Sequence, residues 1–161
     1  MFFFGKIKLS DTEIFSGLED FHSHILPGVD DGVSKIEESL QILRLYESLG
    51  VRKLWLTPHI MEDIPNSTVA LMDKFENLKA NYSGPIELRL AAEYMLDSLF
   101  ISRLESKDLL PLGDEKQYLL VETSFWVGSN ILYEMLQQIF SSGFFPVLAH
   151  PERFGYMTED D

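Results

Sequence analysis

The stretch from Asp20 to Gly32, DFHSHILPGVDDG, carries two of the four histidines in the chain. His22 and His24 stand two residues apart, and in an extended segment residues i and i+2 point the same way. Both imidazoles would therefore face one side, at a spacing suited to gripping one metal ion. Past the Pro27-Gly28 turn come Asp30 and Asp31, either of which could add a carboxylate, and Gly32 frees the backbone beside them. An H-x-H pair by itself is as often two ordinary histidines. The decision rests on where the other two fall.

All four histidines lie at or just past the C-terminal end of a predicted strand. His22 and His24 sit in the first (19–25), His59 follows the second (51–57), and His150 closes the fifth (144–149). The third (86–92) and fourth (118–121) end on carboxylates, Glu93 and Glu122. Taken singly, each has an ordinary reading. A strand-end histidine is usually a hydrogen-bonded structural residue, and Glu93 in AAEY reads equally well as solvent-facing. Glu122 is harder to set aside, because an acid directly after YLLV sits at the edge of a core and needs a partner. Together they converge, since βα units folded into a barrel bring the C-terminal strand ends to one face. Histidine and carboxylate without thiolate suit manganese, iron or zinc. The number of ligands exceeds the three or four of a single catalytic zinc, so two or three ions are implied.

The elements that must position these groups alternate regularly. Residues 1–18 read as an arm, with Phe2, Phe3 and Phe4 covering a core edge or a neighbouring subunit in preference to a membrane surface. A capping box of Ser34 and Glu37 starts a helix near Lys35, with Ile36, Leu40, Leu43 and Leu49 as its apolar stripe and Gly50 as its stop. Asn66 or Ser67 caps a second helix to about Ala80, with Val69, Met72, Phe75 and Leu78 on one side. A third spans 97–110 before Pro111 and Gly113, and a fourth spans 130–142 before Gly143. Five alternations of strand and helix with short connections predict parallel strands with crossover helices outside. An open doubly wound sheet would usually carry a glycine-rich phosphate loop after its first strand, and residues 25–33 hold neither G-x-G-x-x-G nor a Walker sequence. A barrel of βα units fits better.

Composition bounds the function. With 161 residues there is room for one domain and a sizeable core. A net charge of −13 argues against nucleic acid or an anionic membrane as partner. There is no cysteine, which excludes a disulfide scaffold and a thiol nucleophile and fits the cytoplasm. No apolar run approaches a membrane span, and the N-terminus lacks the form of a signal peptide.

The segments DFHSHILPGVDDG (20–32), LTPH (56–59), AAEYMLD (91–97), VETSF (121–125) and LAHPERF (148–154) resemble the PHP family, named for polymerase and histidinol phosphatase. The resemblance is greatest to its bacterial manganese-dependent protein-tyrosine phosphatases of capsule and exopolysaccharide operons. It implies a distorted seven-stranded TIM-like (β/α)7 barrel, of which residues 19–161 form an incomplete part, holding three metals, most simply Mn2+, with iron or zinc as alternatives. His22 and His24 would bind the first metal, and Glu93 would bridge the first and second. Glu122 and His150 would complete the second, and Asp31 and His59 would hold the third. Arg153 would bind the phosphate. The implied reaction is hydrolysis of phosphotyrosine on a tyrosine kinase that governs polysaccharide export. A small phosphate ester such as histidinol phosphate is the alternative substrate, and an inactive metal-binding fragment the alternative role. The family pattern continues beyond residue 161 with an Asp-x-His that serves the first and third metals. About five of the seven βα units are therefore expected here, with open barrel edges through which the chain would associate with itself.

Overall fold

The computed structural model describes residues 13–114, 117–124 and 129–153. The three phenylalanines of the arm, Phe125, Phe154 and the acidic end lie outside the described residues. In chain order the elements are β1 (Glu19–Asp20), α1 (Ile36–Leu49), β2 (Lys53–Leu56), β3 (His59–Ile60), α2 (Thr68–Asn81), β4 (Glu87–Leu90), β5 (Glu93–Met95), α3 (Ser98–Ser106), β6 (Tyr118–Glu122), α4 (Ser129–Ser141) and β7 (Phe145–Leu148), flanked by single 3-10 turns at Glu13–Phe15 and Pro151–Arg153. The fold is α/β, and every strand pair is parallel.

The strands form two sheets, β1-β2-β4 and β3-β5-β6-β7, where five unbroken strands are expected from the sequence. The break has a local cause. Pro58 has no N–H to give a ladder, and Thr57-Pro58 separates β2 from β3 as Ala91-Ala92 separates β4 from β5. The backbone still bridges the gap, with Ala91 N–H donating to Leu56 C=O (2.9 Å) and Glu93 N–H to Pro58 C=O (3.1 Å). Successive runs therefore stay neighbours, and their C-terminal ends stay on one side. The first strand is also shorter than expected. Its ladder stops at Asp20 because Ser23, between the two histidines, donates its N–H to Thr57 Oγ1 (3.0 Å) and its Oγ–H to Trp55 C=O (2.8 Å).

Alternation along the strands creates two apolar layers. Leu54, Leu56, Leu88, Leu119 and Val121 face the helices and pack with Leu43 of α1, Leu71, Phe75 and Leu78 of α2, Phe100 and Leu104 of α3, and Leu132 and Ile139 of α4. On the opposite face Trp55 packs with Ala91, Leu112, Leu120 and Ala149. Two alanines there leave room for the indole. Each fully buried leucine contributes roughly 1.5–3 kcal/mol.

The helices depart from expectation at their ends and faces. The cap of α1 is shifted by one residue: the Glu38 carboxylate, not Glu37, accepts from Lys35 N–H (3.2 Å) and Ser34 Oγ (3.3 Å). Gly50, at φ 83°, closes the helix as expected. Ser67 Oγ caps α2 by accepting from Ala70 N–H at 3.2 Å. The buried stripe of α2 is Leu71-Phe75-Leu78, while Val69 and Met72 are exposed. α3 ends at Ser106, four residues early. Lys107 turns left-handed there (φ 58°), which brings Leu110 N–H to the hydroxyl of buried Tyr94 at 2.7 Å. Among the described residues no helix is long and apolar enough to cross a membrane.

Candidate metal centre

Glu93 is the pivot. Its side chain is fully buried at the start of β5, yet it touches all four histidines. Oε2 lies 2.9 Å from His22 Nε2, 3.1 Å from His24 Nε2 and 3.4 Å from His59 Nδ1, and Oε1 lies 3.0 Å from His150 Nε2. Each ring arrives from a different element. Ser23 turns its own side chain the other way, so the flanking rings face Glu93 together, with Nε2 atoms 3.1 Å apart. His59 opens β3 directly after Pro58, in register with Glu93. His150 follows β7 in a left-handed backbone (φ 32°), a conformation that is uncommon for a non-glycine residue and occurs often at functional sites.

Glu122 enters from the end of β6, with Oε1 3.3 Å from His59 Nδ1 and Oε2 3.6 Å from His150 Nε2. Asp31 reaches in from the loop after β1, 3.6 Å from His59 Nε2, and its side chain is otherwise exposed. Arg153 is exposed at the end of the Pro151–Arg153 turn. These eight residues line one cavity of about 470 Å³. The geometry thus brings together every site residue expected from the sequence.

Buried polar groups this close need a positive partner. Burial opposes ionisation of Glu93, but hydrogen bonds from His22 and His24 and the nearby His59 overrule it, holding the carboxyl well below the usual range. Burial also works against charge on His24, yet Asp30 and Glu93 raise its pKa to about 10. Glu122 is pushed up to about 7 by burial and by the neighbouring Glu93. His59 is held below its ordinary value, first by burial and then by His24. Its Nδ1 is buried without a hydrogen bond, although Glu93 Oε2 and Glu122 Oε1 lie 3.4 and 3.3 Å away.

A divalent cation fits this set. Two donors on one ion, with bonds of about 2.1 Å, stand roughly 3–3.5 Å apart, the spacing seen around Glu93. Among the described residues three triads have donor atoms within 4.8 Å of one another: His22-His24-Glu93, His24-Asp31-His59 and His59-Glu93-Glu122. All are nitrogen and oxygen sets of the kind that suits zinc, iron or manganese. His59 belongs to two of them, so it stands between positions instead of serving one alone.

The sequence leaves Asp30 and Asp31 in competition, and the structure separates them. Asp31 turns to His59, whereas Asp30 turns back to its own loop. Asp30 Oδ2 accepts from His24 Nδ1 (2.8 Å) and His59 N–H (3.1 Å), and Oδ1 accepts from Gly32 N–H (3.0 Å). Asn66, expected only as a possible helix cap, donates through Nδ2 to Val29 C=O (2.8 Å) and His59 C=O (2.9 Å). No local pattern signals that contact, because Asn66 and Val29 are 37 residues apart.

Comparison with known proteins agrees with this geometry. The chain is 28% identical to the tyrosine-protein phosphatase YwqE of Bacillus subtilis, over 83% of this chain and 54% of that protein. It is 31% identical to the tyrosine-protein phosphatase CpsB of Streptococcus pneumoniae, over 88% of this chain and 60% of that protein. It superposes with a TM-score of 0.75 and 26% identity on a chain from the crystal structures of YwqE and CpsB, described as unique metal-dependent tyrosine phosphatases, covering 85% of this chain and 57% of that one. The chain thus spans a little over half the length of the curated relatives it matches. Residues 18–161 match the family described as "Capsular polysaccharide synthesis, CpsB/CapC", and the chain belongs to that family.

Proposed function

We propose that this chain carries the greater part of the catalytic centre of a metal-dependent protein-tyrosine phosphatase, built on a PHP-type barrel. Its substrate is a cytoplasmic phosphotyrosine protein, most simply a tyrosine kinase governing capsular or exopolysaccharide synthesis. The observation that carries the reading is buried Glu93 in contact with four imidazoles. A carboxylate taken out of water among so many nitrogen donors is the arrangement of a bridging metal ligand.

His22, His24 and Glu93 would hold the first ion, Glu93, Glu122 and His150 the second, and Asp31 with His59 the third, with manganese the favoured metal. When bound, such ions lower the pKa of water and withdraw charge from phosphoryl oxygens. The chain's own residues set the geometry. Arg153 lines the open side of the cavity, where its planar fork can take two phosphoryl oxygens. The tyrosine phenol, with a pKa of about 10, leaves with little help from an acid. None of these 161 residues is a cysteine, so they supply no thiol for a phosphocysteine intermediate.

The test is a phosphotyrosyl-peptide assay coupled to elemental analysis. Turnover should vanish with a chelator and return with manganese, and Glu93→Gln should lose both metal and turnover. Activity indifferent to chelation and to Glu93→Gln would reject the mechanism. Faster hydrolysis of histidinol phosphate than of the peptide would move the substrate to a small ester. Bound metal without any turnover would leave a metal-binding fragment.

A further inference from the structure

We propose that Asp30 is a positioning residue that locks two metal-facing histidines, His24 and His59, to a single carboxylate, with Asn66 as its brace. The inference rests on the metal reading of the site and extends it to residues that bind no metal themselves.

One oxygen does two jobs. Asp30 Oδ2 accepts from the ring Nδ1 of His24 and from the backbone N–H of His59. The first bond fixes the proton on Nδ1 and leaves Nε2 aimed at Glu93, 3.1 Å away. The second fixes where the backbone of β3 begins, and therefore where the His59 ring starts. The two histidines belong to segments 35 positions apart in the chain, and their rings lie with centroids 4.5 Å apart, tilted by 39°. A shift of Asp30 moves both.

The carboxylate is itself held. Its other oxygen accepts from Gly32 N–H, and Val33 N–H closes the loop onto His24 C=O at 3.0 Å. Asn66 ties the same two segments from behind, through the carbonyls of Val29 and His59. Arg103 in turn donates to Asn66 C=O. Histidine ligands commonly give their second ring nitrogen to a carboxylate in this way, and loss of that partner costs roughly 10–100-fold in metal affinity. Here one carboxylate serves two positions, so its removal should weaken both.

The experiment is manganese titration of the 161-residue chain by calorimetry, comparing the native protein with Asp30→Ala, Asp30→Asn and Asn66→Ala. Thermal melting of the metal-free proteins and nitrogen-15 NMR of the histidine rings run alongside. Asp30→Ala should lose about tenfold or more at the positions served by His24 and His59 and lose the protected His24 Nδ1–H signal. Asp30→Asn, which keeps an acceptor oxygen, should restore part of the affinity. Asn66→Ala should weaken binding less than Asp30→Ala. Unchanged affinity in folded Asp30→Ala, or a loss confined to one position, would overturn the proposal. If the native chain takes up no manganese, the metal reading itself fails. The ring signals of the metal-free protein then decide the positioning role, and a His24 Nδ1–H signal that survives Asp30→Ala overturns it.

Discussion

At the scale of single residues, the site divides into a largely buried cluster of charged groups and one exposed guanidinium, to which the proposed function gives the substrate phosphate. Arg153 is exposed and lies on the rim, whereas the histidines and Glu93 form the floor. Arg153→Ala should therefore lower phosphotyrosine turnover by about 10²-fold, the usual cost of removing one donor to a developing charge, while bound manganese stays nearly unchanged. Equal loss of metal would make it a structural partner of Glu122. Protons give a second test. In the metal-free protein His24 holds its proton up to a pKa of about 10 and Glu122 up to about 7. A cation must displace both. Manganese affinity should therefore rise with pH, steeply up to about 7 as Glu122 ionises and further as the proton on His24 becomes easier to remove. Titration in weak buffer at pH 6.5 should release protons, and a pH-independent affinity would contradict the shared site. That the four histidines, Glu93, Glu122, Asp31 and Arg153 gather at one cavity was legible in the sequence, because their types and their places beside the apolar runs are local facts. The division of labour between Asp30 and Asp31 was not, because it depends on which way a six-residue loop closes.

At the scale of elements, the loop from Pro27 to Gly32 governs the first strand end. Gly28, at φ 68°, makes the turn and donates to Val33 C=O at 2.8 Å. Gly32 is needed for a different reason. A Cβ there would press into the His24 carbonyl and lie 2.6 Å from the His24 Cβ, neither of which can move without carrying the ring. Gly32→Ala should cost about 1–3 kcal/mol of stability, as overpacking does, and should weaken manganese binding more than a surface substitution of equal thermal effect. Calorimetric melts paired with metal titration separate the two. The order of the elements followed from the alternation of apolar runs and caps, and the starts of α2 and α4 lie within a residue of expectation. The misplaced pieces have tertiary causes. α3 stops early because Tyr94, a buried residue of β5, takes the Leu110 N–H. The stripe of α2 rotates onto Leu71 because this helix packs chiefly against β4. Neither partner is visible in the local sequence.

At the scale of the whole molecule, the described strands run in order without a closing pair, and this has two consequences. Among the described strands β7 is the last of its sheet, with Val147 38% exposed and Tyr133 and Phe140 of the preceding helix more so. An apolar strand edge of this kind pairs readily with another chain. The ligand sets are also uneven. The His22-His24-Glu93 group and the Glu93-Glu122-His150 group each offer three side chains, whereas the third position has only Asp31 to itself and must share both His24 and His59. Fewer donors bind more weakly, and carboxylates left without a cation repel one another. We therefore expect the 161-residue chain to retain fewer than three metal ions after gel filtration, to turn over phosphotyrosyl peptide slowly even with added manganese, and to associate with itself as its concentration rises. Elemental analysis and light scattering on one preparation, with the peptide assay beside them, measure all three. A charged substitution at Val147 should suppress the association without changing the metal content, because its side chain does not line the metal cavity. A monomer at every concentration, carrying three tightly held ions and turning over peptide rapidly, would mean that the ligands or the order of the strands around them had been assigned wrongly.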